Sequence, residues 1–551
     1  MPPRKNTRLS VGEYLIDALK KRGVNHVFGV PGDFILGLYE IGTERGMNMV
    51  NSTREETATY AADGYAREKG LGAVAVTYGV GMVATMAALG GANCEMVPVV
   101  VIGGAPGMGE RDGRRVHHAV SDDMDAPRMM AEHLTHHTVL IDNADTAYAD
   151  IDWILDHCMK ELRPVFIELP RDLISAVPKI VYTPPERTAR RFSSAPHTES
   201  CADDLVATLR AARKPIINVG NEVTKRRLGD RVLALAQRLN VPVVETVMGK
   251  AAVDEDDTRL TLGVYSGGGT MPALRRFVES ADFVMQLGVN VNDITTGGFT
   301  SGINEDWSSN AYDGRARVLH RTYTDVWLPE LLDALDRRTL PRKKLPAKMP
   351  NGWVRPVAMS GRLTTDMVAA ALNEFIIPSD IITSDVGVAA HLAMDVQMQR
   401  AGQFHIARLY VGMGFAVPAG IGAALARGKG RPVILIGDGS FQMTGFDIST
   451  GIREGLKPIV IVMDNHGYGA ERSIRDGAFN DVSVWDYAAV AGVVGGKGTK
   501  VGTGQELRDA LAAARRDNRN AHIIQADLDP IDMPRALKAL GKDLAALMNA
   551  K

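Results

Sequence analysis

A chain of 551 residues is longer than one hydrophobic core usually organises, so two to four domains are expected. Apolar residues at 45%, charged residues at 23% and a net charge of −2 describe an ordinary globular protein, with no footprint for nucleic acid or a membrane surface. The three scattered cysteines (Cys94, Cys158, Cys201), the lack of an apolar stretch near the roughly 20 residues of a bilayer span, and a basic start with no signal-peptide core lead us to expect a reduced, cytoplasmic enzyme.

VGEYLIDALKKRGV opens with a helical period, and HVFGVPG follows as a short strand with Asp33 just past its end. STREETATYAADGYAR (52–67) predicts a small, Ala-rich helix suited to close packing, with Glu55 at its start. Taken alone, a Glu there is most simply a partner for the helix dipole. GAVAVTYG and PVVVIGGAP are continuous apolar runs ending in Gly, the pattern of parallel strands buried on both faces. RRVHHAV then sets His117 and His118 in a polar loop. A second pair, His136 and His137, falls in a strand-like stretch and is read as non-catalytic.

ARRFSSAPHTES (189–200) and LPRKKLPAKMPNG (340–352) read as linkers. Between them lie the strands KPIINVG, VPVVETV and DFVMQLG; beyond them come DIITSDVG, RPVILIGDG, KPIVIVMDN and HIIQADL. The alternation predicts an α/β protein of three doubly wound parallel-sheet domains, over residues 1–188, 200–340 and 355–551. Ligands in such folds gather beyond the carboxyl ends of the strands.

The sharpest signal is GDGSFQMTGFDISTGIREGLKPIVIVMDNHGYG (437–469), which runs from the end of one apolar strand to just past the next. Two adjacent parallel strand ends would present Asp438 and Asn465 side by side. Their oxygens are hard ligands suited to Mg²⁺, which is usually held by few protein groups together with phosphates. Gly437 and Gly439 let backbone N–H groups approach a phosphate at the start of the next helix. A lone GDG is most often a mere strand-to-helix turn; the second polar strand end makes the pattern specific.

This segment resembles the thiamine-diphosphate motif of pyruvate decarboxylase and its relatives. The resemblance implies that Asp438, Asn465 and the Gly467 carbonyl hold Mg²⁺ and that Ser440 helps bind the diphosphate. Gly437, Gly439, Gly469 and Ala470 would complete that end of the cofactor site. STREETATYAADGYAR resembles a segment of the 2-oxo acid decarboxylases in which the equivalent of Glu55 protonates the cofactor's pyrimidine ring. Thr77, Val411 and Met413 would contact the cofactor too, Met413 wedging it into a bent shape. Asp33, Glu55, His117, His118 and Glu471 match the catalytic set of the same family together. The likeness covers essentially the whole chain, including TYGVG, NDITTGGF and FNDVSVWDY, so the three domains would be pyrimidine-binding, middle and diphosphate-binding.

The implied activity is non-oxidative decarboxylation of a 2-oxo acid to an aldehyde and CO₂ through the thiamine diphosphate ylide. A carboligase joining two 2-oxo acids is the alternative, and a noncatalytic homologue a remoter one. The His-His pair points to the pyruvate, indolepyruvate and phenylpyruvate decarboxylase group, since carboligases usually lack it. Ala389, Ala390, Ala470 and Ile474 would line the substrate pocket, and Ala470 stands where pyruvate-selective relatives usually carry Ile. A bulky aromatic or aliphatic substrate is therefore expected. The family's shared cofactor site implies a homodimer as minimal unit and a homotetramer as the assembly. Asp464, His466, Met82 and Ala87 depart from the family pattern. The middle part carries no recognised chemistry and is read as a spacer, with an effector site as the alternative.

Overall fold

A computed structural model of the chain describes residues 8–111, 116–184, 193–256, 259–353 and 357–549, the last seven by their backbone alone. The first strands are β1 (His26–Gly29), β2 (Asn48–Asn51), β3 (Gly72–Val76), β4 (Val99–Ala105), β5 (His137–Leu140) and β6 (Val165–Pro170). They form one parallel sheet in the order β2-β1-β3-β4-β6-β5. β3, β4 and β6 are buried along their whole length, so their sequences run apolar without alternation. The opening helix, Val11–Lys21, begins with a capping box in which Ser10 and Glu13 bond each other's backbone N–H.

The middle sheet contains β7 (Pro215–Val219), β8 (Val243–Glu245), β9 (Thr261–Val264), β10 (Phe283–Leu287), β11 (Ser308–Tyr312), β12 (Arg315–Val318) and β13 (Arg321–Thr324). Their order is β13-β12-β11-β10-β7-β8-β9. The expectation of a wholly parallel sheet is corrected at one edge, where β12 and β13 run antiparallel. Asp313 and Gly314 take φ of 50° and 75°, the two positive angles of a tight hairpin turn, and so send the chain straight back.

The third sheet has β14 (Ile381–Ser384), β15 (Phe404–Ile406), β16 (Pro432–Gly437), β17 (Ile459–Asp464), β18 (Lys497–Val501) and β19 (His522–Asp527). Its order, β15-β14-β16-β17-β19-β18, repeats that of the first sheet strand for strand. The fold is thus α/β with three parallel-sheet domains. No described helix is long and apolar enough to cross a membrane.

Packing gathers the chain into two compact units. One comprises residues 1–187, 410–432 and 443–458, and so joins the helix Ala416–Arg427 to the first sheet. This helix crosses the helix Glu55–Lys69 at very short range. A Cβ on Gly64 would stand 2.0 Å from the Ala419 carbonyl oxygen, and one on Gly422 would stand 1.8 Å from that of Ala61. The small residues of ETATYAADGYAR therefore serve a helix crossing whose partner comes from the last third of the sequence. The other unit, residues 188–409, 433–442 and 459–551, holds the second and third sheets.

The 189–200 stretch is shorter as a linker than its composition suggests. A helix spans Ala195–Ala211 with Pro196 in its first turn, where a missing N–H costs nothing. Residues 189–192 lie outside the described residues. No helix or strand occupies 340–352.

Candidate active site

In an open parallel sheet a ligand crevice forms where the strand order reverses. In the first sheet that point lies between β1 and β3. Asp33 and Thr77 follow these strands, and the Thr77 hydroxyl lies 3.5 Å from Asp33 Oδ1. His117, on the loop after β4, places Nε2 2.7 Å from Asp33 Oδ2, and His118 Nε2 lies 3.7 Å from Oδ1. The Phe34 ring stacks on His117 at 5.0 Å. All three side chains reach solvent, so the cluster can exchange protons with a ligand or with water. His118 has a φ of 67°, and its carbonyl oxygen presses on Gly79, where a Cβ would come within 1.7 Å. The glycine of the TYGVG turn is thus a steric requirement of the histidine loop. His136 and His137 sit apart from this cluster in the fold, at the edge strand β5, with His137 packed on Trp153 and His157.

Glu55 is the first residue of its helix and is half-buried. Its Oε1 lies 3.5 Å from where a Cβ on Gly81 would stand. No described side chain bonds to its carboxylate. The start of this helix is held by Asp447, a residue the sequence did not single out. The Asp447 carboxylate accepts hydrogen bonds from the Thr53 N–H at 3.1 Å, the Thr53 hydroxyl at 2.9 Å, the Thr57 hydroxyl at 3.3 Å and the Thr450 hydroxyl at 3.0 Å. It thereby ties the residues around the helix start to a distant part of the chain, where the helix's own N-cap residue supplies no side-chain bond. Asp447→Ala is expected to cost about 1–3 kcal/mol of stability, because buried donors lose their acceptor. It should also lower turnover by loosening Glu55; chemical denaturation and steady-state kinetics on one preparation check both effects.

In the same unit, Val411 and Met413 are part-exposed, and Val411 has a φ of 56°. A β-branched residue there is strained, a state that persists mainly at functional sites.

In the third sheet the order reverses between β14 and β16. Gly437 pairs in register with Met463, so the next residues, Asp438 and then Asn465 one step further on, emerge at neighbouring strand ends. Asp438 begins a short helix, Asp438–Thr444. Its Oδ1 accepts from the Gly439 N–H at 2.7 Å and its Oδ2 from the Gly467 N–H at 2.8 Å. Burial pushes its carboxyl up to about 6, with those two N–H groups pulling the other way. No described Lys or Arg pairs with it. Asn465 is also buried, and its Nδ2 has no partner. A buried carboxylate without a cationic side chain, beside an amide with a free N–H, fits a hard cation together with an anionic oxygen. Space for these is open at Gly437, where a Cβ would meet nothing within 4 Å. Ser440 is buried in the same turn. At Gly467 and Gly469 added Cβ atoms would strike the Asn480 carbonyl at 2.2 Å and Asn465 Nδ2 at 2.7 Å.

The two departures in MDNHGYG turn out to be partners. His466, at a φ of 60°, lies 3.3 Å from Asp464 by its Nδ1 and 3.8 Å from Asp527 by its Nε2. Gln525 donates to the other oxygen of Asp464 at 2.7 Å. Spacing alone does not reveal this pairing, since Asp527 arrives from β19.

Glu471 lies on the short helix Gly469–Arg472 and is exposed. Ala470 packs against the core that contains Val388, Ala389 and Ala390, of which the two alanines are fully buried. Ile474 follows, half-buried. Met82 is committed elsewhere, fully buried with its side chain filling the space beside Gly103. Met394 packs with Val247, Met248 and Trp353.

The sequence matches three models of the thiamine pyrophosphate enzymes. These are the N-terminal TPP binding domain over residues 9–129, the central domain over 202–320 and the C-terminal TPP binding domain over 385–526. It is 34% identical to an indole-3-pyruvate decarboxylase of Azospirillum brasilense, over 94% of this chain and 95% of that one. It is 32% identical to a pyruvate decarboxylase of Aspergillus terreus, over 98% of each. An alpha-keto-acid decarboxylase of Mycolicibacterium paratuberculosis shares 30% identity over 96% of each.

Proposed function

The chain belongs to the thiamine pyrophosphate-dependent 2-oxo acid decarboxylases, and on that footing we propose that it acts on a bulky 2-oxo acid, aromatic or long aliphatic, such as phenylpyruvate or indolepyruvate. The observation that carries this reading is the small side chain of Ala470 beside Val388, Ala389 and Ala390, with Met82 and Met394 packed elsewhere. Ala470, packed against this core, stands where pyruvate-selective relatives usually carry Ile, and a smaller residue there would widen a pocket that includes Ile474.

Bound thiamine diphosphate supplies the carbanion chemistry that lets CO₂ leave. The protein's part is to bind, orient and move protons. Asp438, Asn465 and the Gly467 carbonyl would hold Mg²⁺; Gly437, Gly439, Ser440, Gly469 and Ala470 would border the diphosphate. Thr77, Val411 and Met413 would shape the pyrimidine end, where the Glu55 carboxyl gives its proton to a ring nitrogen. Asp33, with His117 at 2.7 Å and His118 at 3.7 Å, would supply the proton that the product carbon takes up. Glu471 faces the carboxylate that departs. The domains 1–188, 200–340 and 355–551 would divide these tasks within a homodimer, assembled further into a homotetramer in the cytoplasm.

Steady-state kinetics on pyruvate, 2-oxoisocaproate, phenylpyruvate and indolepyruvate test the substrate. A bulky acid is expected to have the highest kcat/KM, and Ala470→Ile is expected to shift preference toward pyruvate by about tenfold or more. If pyruvate is the best substrate of the unaltered enzyme, the open-pocket reading fails. Mass spectrometry of the product separates aldehyde from the hydroxyketone of a carboligase.

A further inference from the structure

The strand β6 reads VFIELP, and its one charged residue, Glu168, is fully buried opposite Gly103 of β4. A carboxylate in such a place is unfavourable unless cations meet it. Two do so. Arg111 donates from Nη2 to Glu168 Oε1, and Arg128 Nε lies 3.4 Å from Oε2. Burial pushes the Glu168 carboxyl up, and both guanidiniums pull the other way.

These two arginines flank the segment that carries His117 and His118. Arg111 ends the short turn Met108–Glu110 after β4, and Arg128 belongs to the next helix, Ala126–Glu132. The two ends are also tied to each other. Asp125 Oδ1 accepts from Arg111 Nη1 at 3.3 Å and lies 3.3 Å from Arg128 Nη2. Two guanidiniums thus balance two carboxylates, and the planar fork of Arg111 reaches both carboxylates at once. Next to Asp125, the Met124 carbonyl accepts from the Tyr78 hydroxyl at 2.8 Å. The histidines' own contacts with Asp33 are a poorer hold. The side chains of His117 and Asp33 are 62% and 41% exposed, and ion pairs in water contribute little to order. The firm grip on this segment is therefore at its ends, on a strand buried in the sheet.

We propose that Glu168 and Arg111 are positioning residues for the decarboxylation: the buried pair anchors the ends of the histidine segment so that His117 and His118 meet Asp33. This rests on the proton role given above to Asp33, His117 and His118. Arg111 acts through those histidines, since its guanidinium is committed to Glu168 and Asp125.

Kinetics and deuterium exchange on the Mg²⁺–thiamine diphosphate holoenzymes of Arg111→Ala, Arg111→Lys, Glu168→Gln and His117→Ala test this. In Arg111→Ala and Glu168→Gln, kcat is expected to fall about tenfold to a hundredfold, the scale of a small misplacement of reacting groups. KM and cofactor affinity should stay within about threefold, and exchange should rise over residues 116–125 while the strands of the first sheet keep their protection. Arg111→Lys, which keeps a cation for Glu168, should recover most of kcat. If Glu168→Gln does not fold, Arg111→Ala decides alone, because there Glu168 retains Arg128. Turnover retained in His117→Ala would remove the proton role and this inference with it. Turnover lost in His117→Ala but unchanged in Arg111→Ala, with unchanged exchange, would overturn this inference alone. A raised KM at constant kcat in Arg111→Ala would make Arg111 a substrate ligand and overturn it. So would exchange that rises throughout the first sheet together with loss of the cofactor, the mark of a merely structural pair.

Discussion

Glu55→Gln is expected to leave thiamine diphosphate bound and to cut turnover by roughly 10²–10⁴-fold, the usual contribution of a positioned acid or base. Glutamine keeps the length and polarity of the side chain but has no acidic proton to give. The carboxylate it replaces heads its helix, half-buried and with no described side chain competing for it, so it is available to a ring nitrogen. Its backbone position depends on Thr53, Thr57 and the buried Asp447 carboxylate. None of these contacts uses the Glu55 carboxyl, so the substitution should not disturb the fold. Steady-state kinetics beside a cofactor titration will measure both halves of the expectation. Near-normal turnover would remove Glu55 from the proposed role.

Asp438→Ala is expected to abolish retention of the cofactor whatever the supply of thiamine diphosphate, and chelation of Mg²⁺ should do the same to the unaltered protein. Asp438 is 1% exposed, held by two backbone N–H groups and by no cationic side chain among the described residues. Burial of an uncompensated carboxylate is unfavourable, and its raised pKa of about 6 expresses that. A divalent cation held by Asp438 would relieve that cost and tie the diphosphate to the protein, so metal and cofactor should be lost together. Calorimetric titration of apo-protein with thiamine diphosphate, with and without Mg²⁺, decides the matter. An unchanged affinity in Asp438→Ala would exclude the proposed metal bridge.

Much of this architecture was legible in the one-dimensional pattern. Buried parallel strands announce themselves as uninterrupted apolar runs, because both faces are covered, and GAVAV, VVVIG, PVILI and IVIVM became β3, β4, β16 and β17. The adjacency of Asp438 and Asn465 was also accessible, since a strand–helix–strand unit usually makes consecutive strands neighbours. The Glu55 helix was read correctly as a close-packing helix from its small residues.

Most of what escaped the sequence depends on chain segments far apart that meet only when the sheets assemble. Nothing near Thr53 specifies that Asp447 will accept its hydrogen bonds. His466 and Asp464 looked like unrelated departures until their 3.3 Å contact, with Asp527 alongside, made them one local arrangement. The antiparallel edge of the middle sheet was written in Asp313 and Gly314 but hidden among other turns, because a hairpin signal does not name the sheet it will extend. The pairing of Glu168 with Arg111 and Arg128 is invisible for the same reason, since a lone charge in an apolar strand does not name its partners. Sequence alone therefore determined most of the elements, the fold class and the neighbouring polar strand ends at Asp438 and Asn465, because hydrophobic period and short-range spacing are local properties. Only the tertiary structure decided which distant side chains satisfy one another and which are left buried with bonding capacity to spare, because strand order and register set those neighbours.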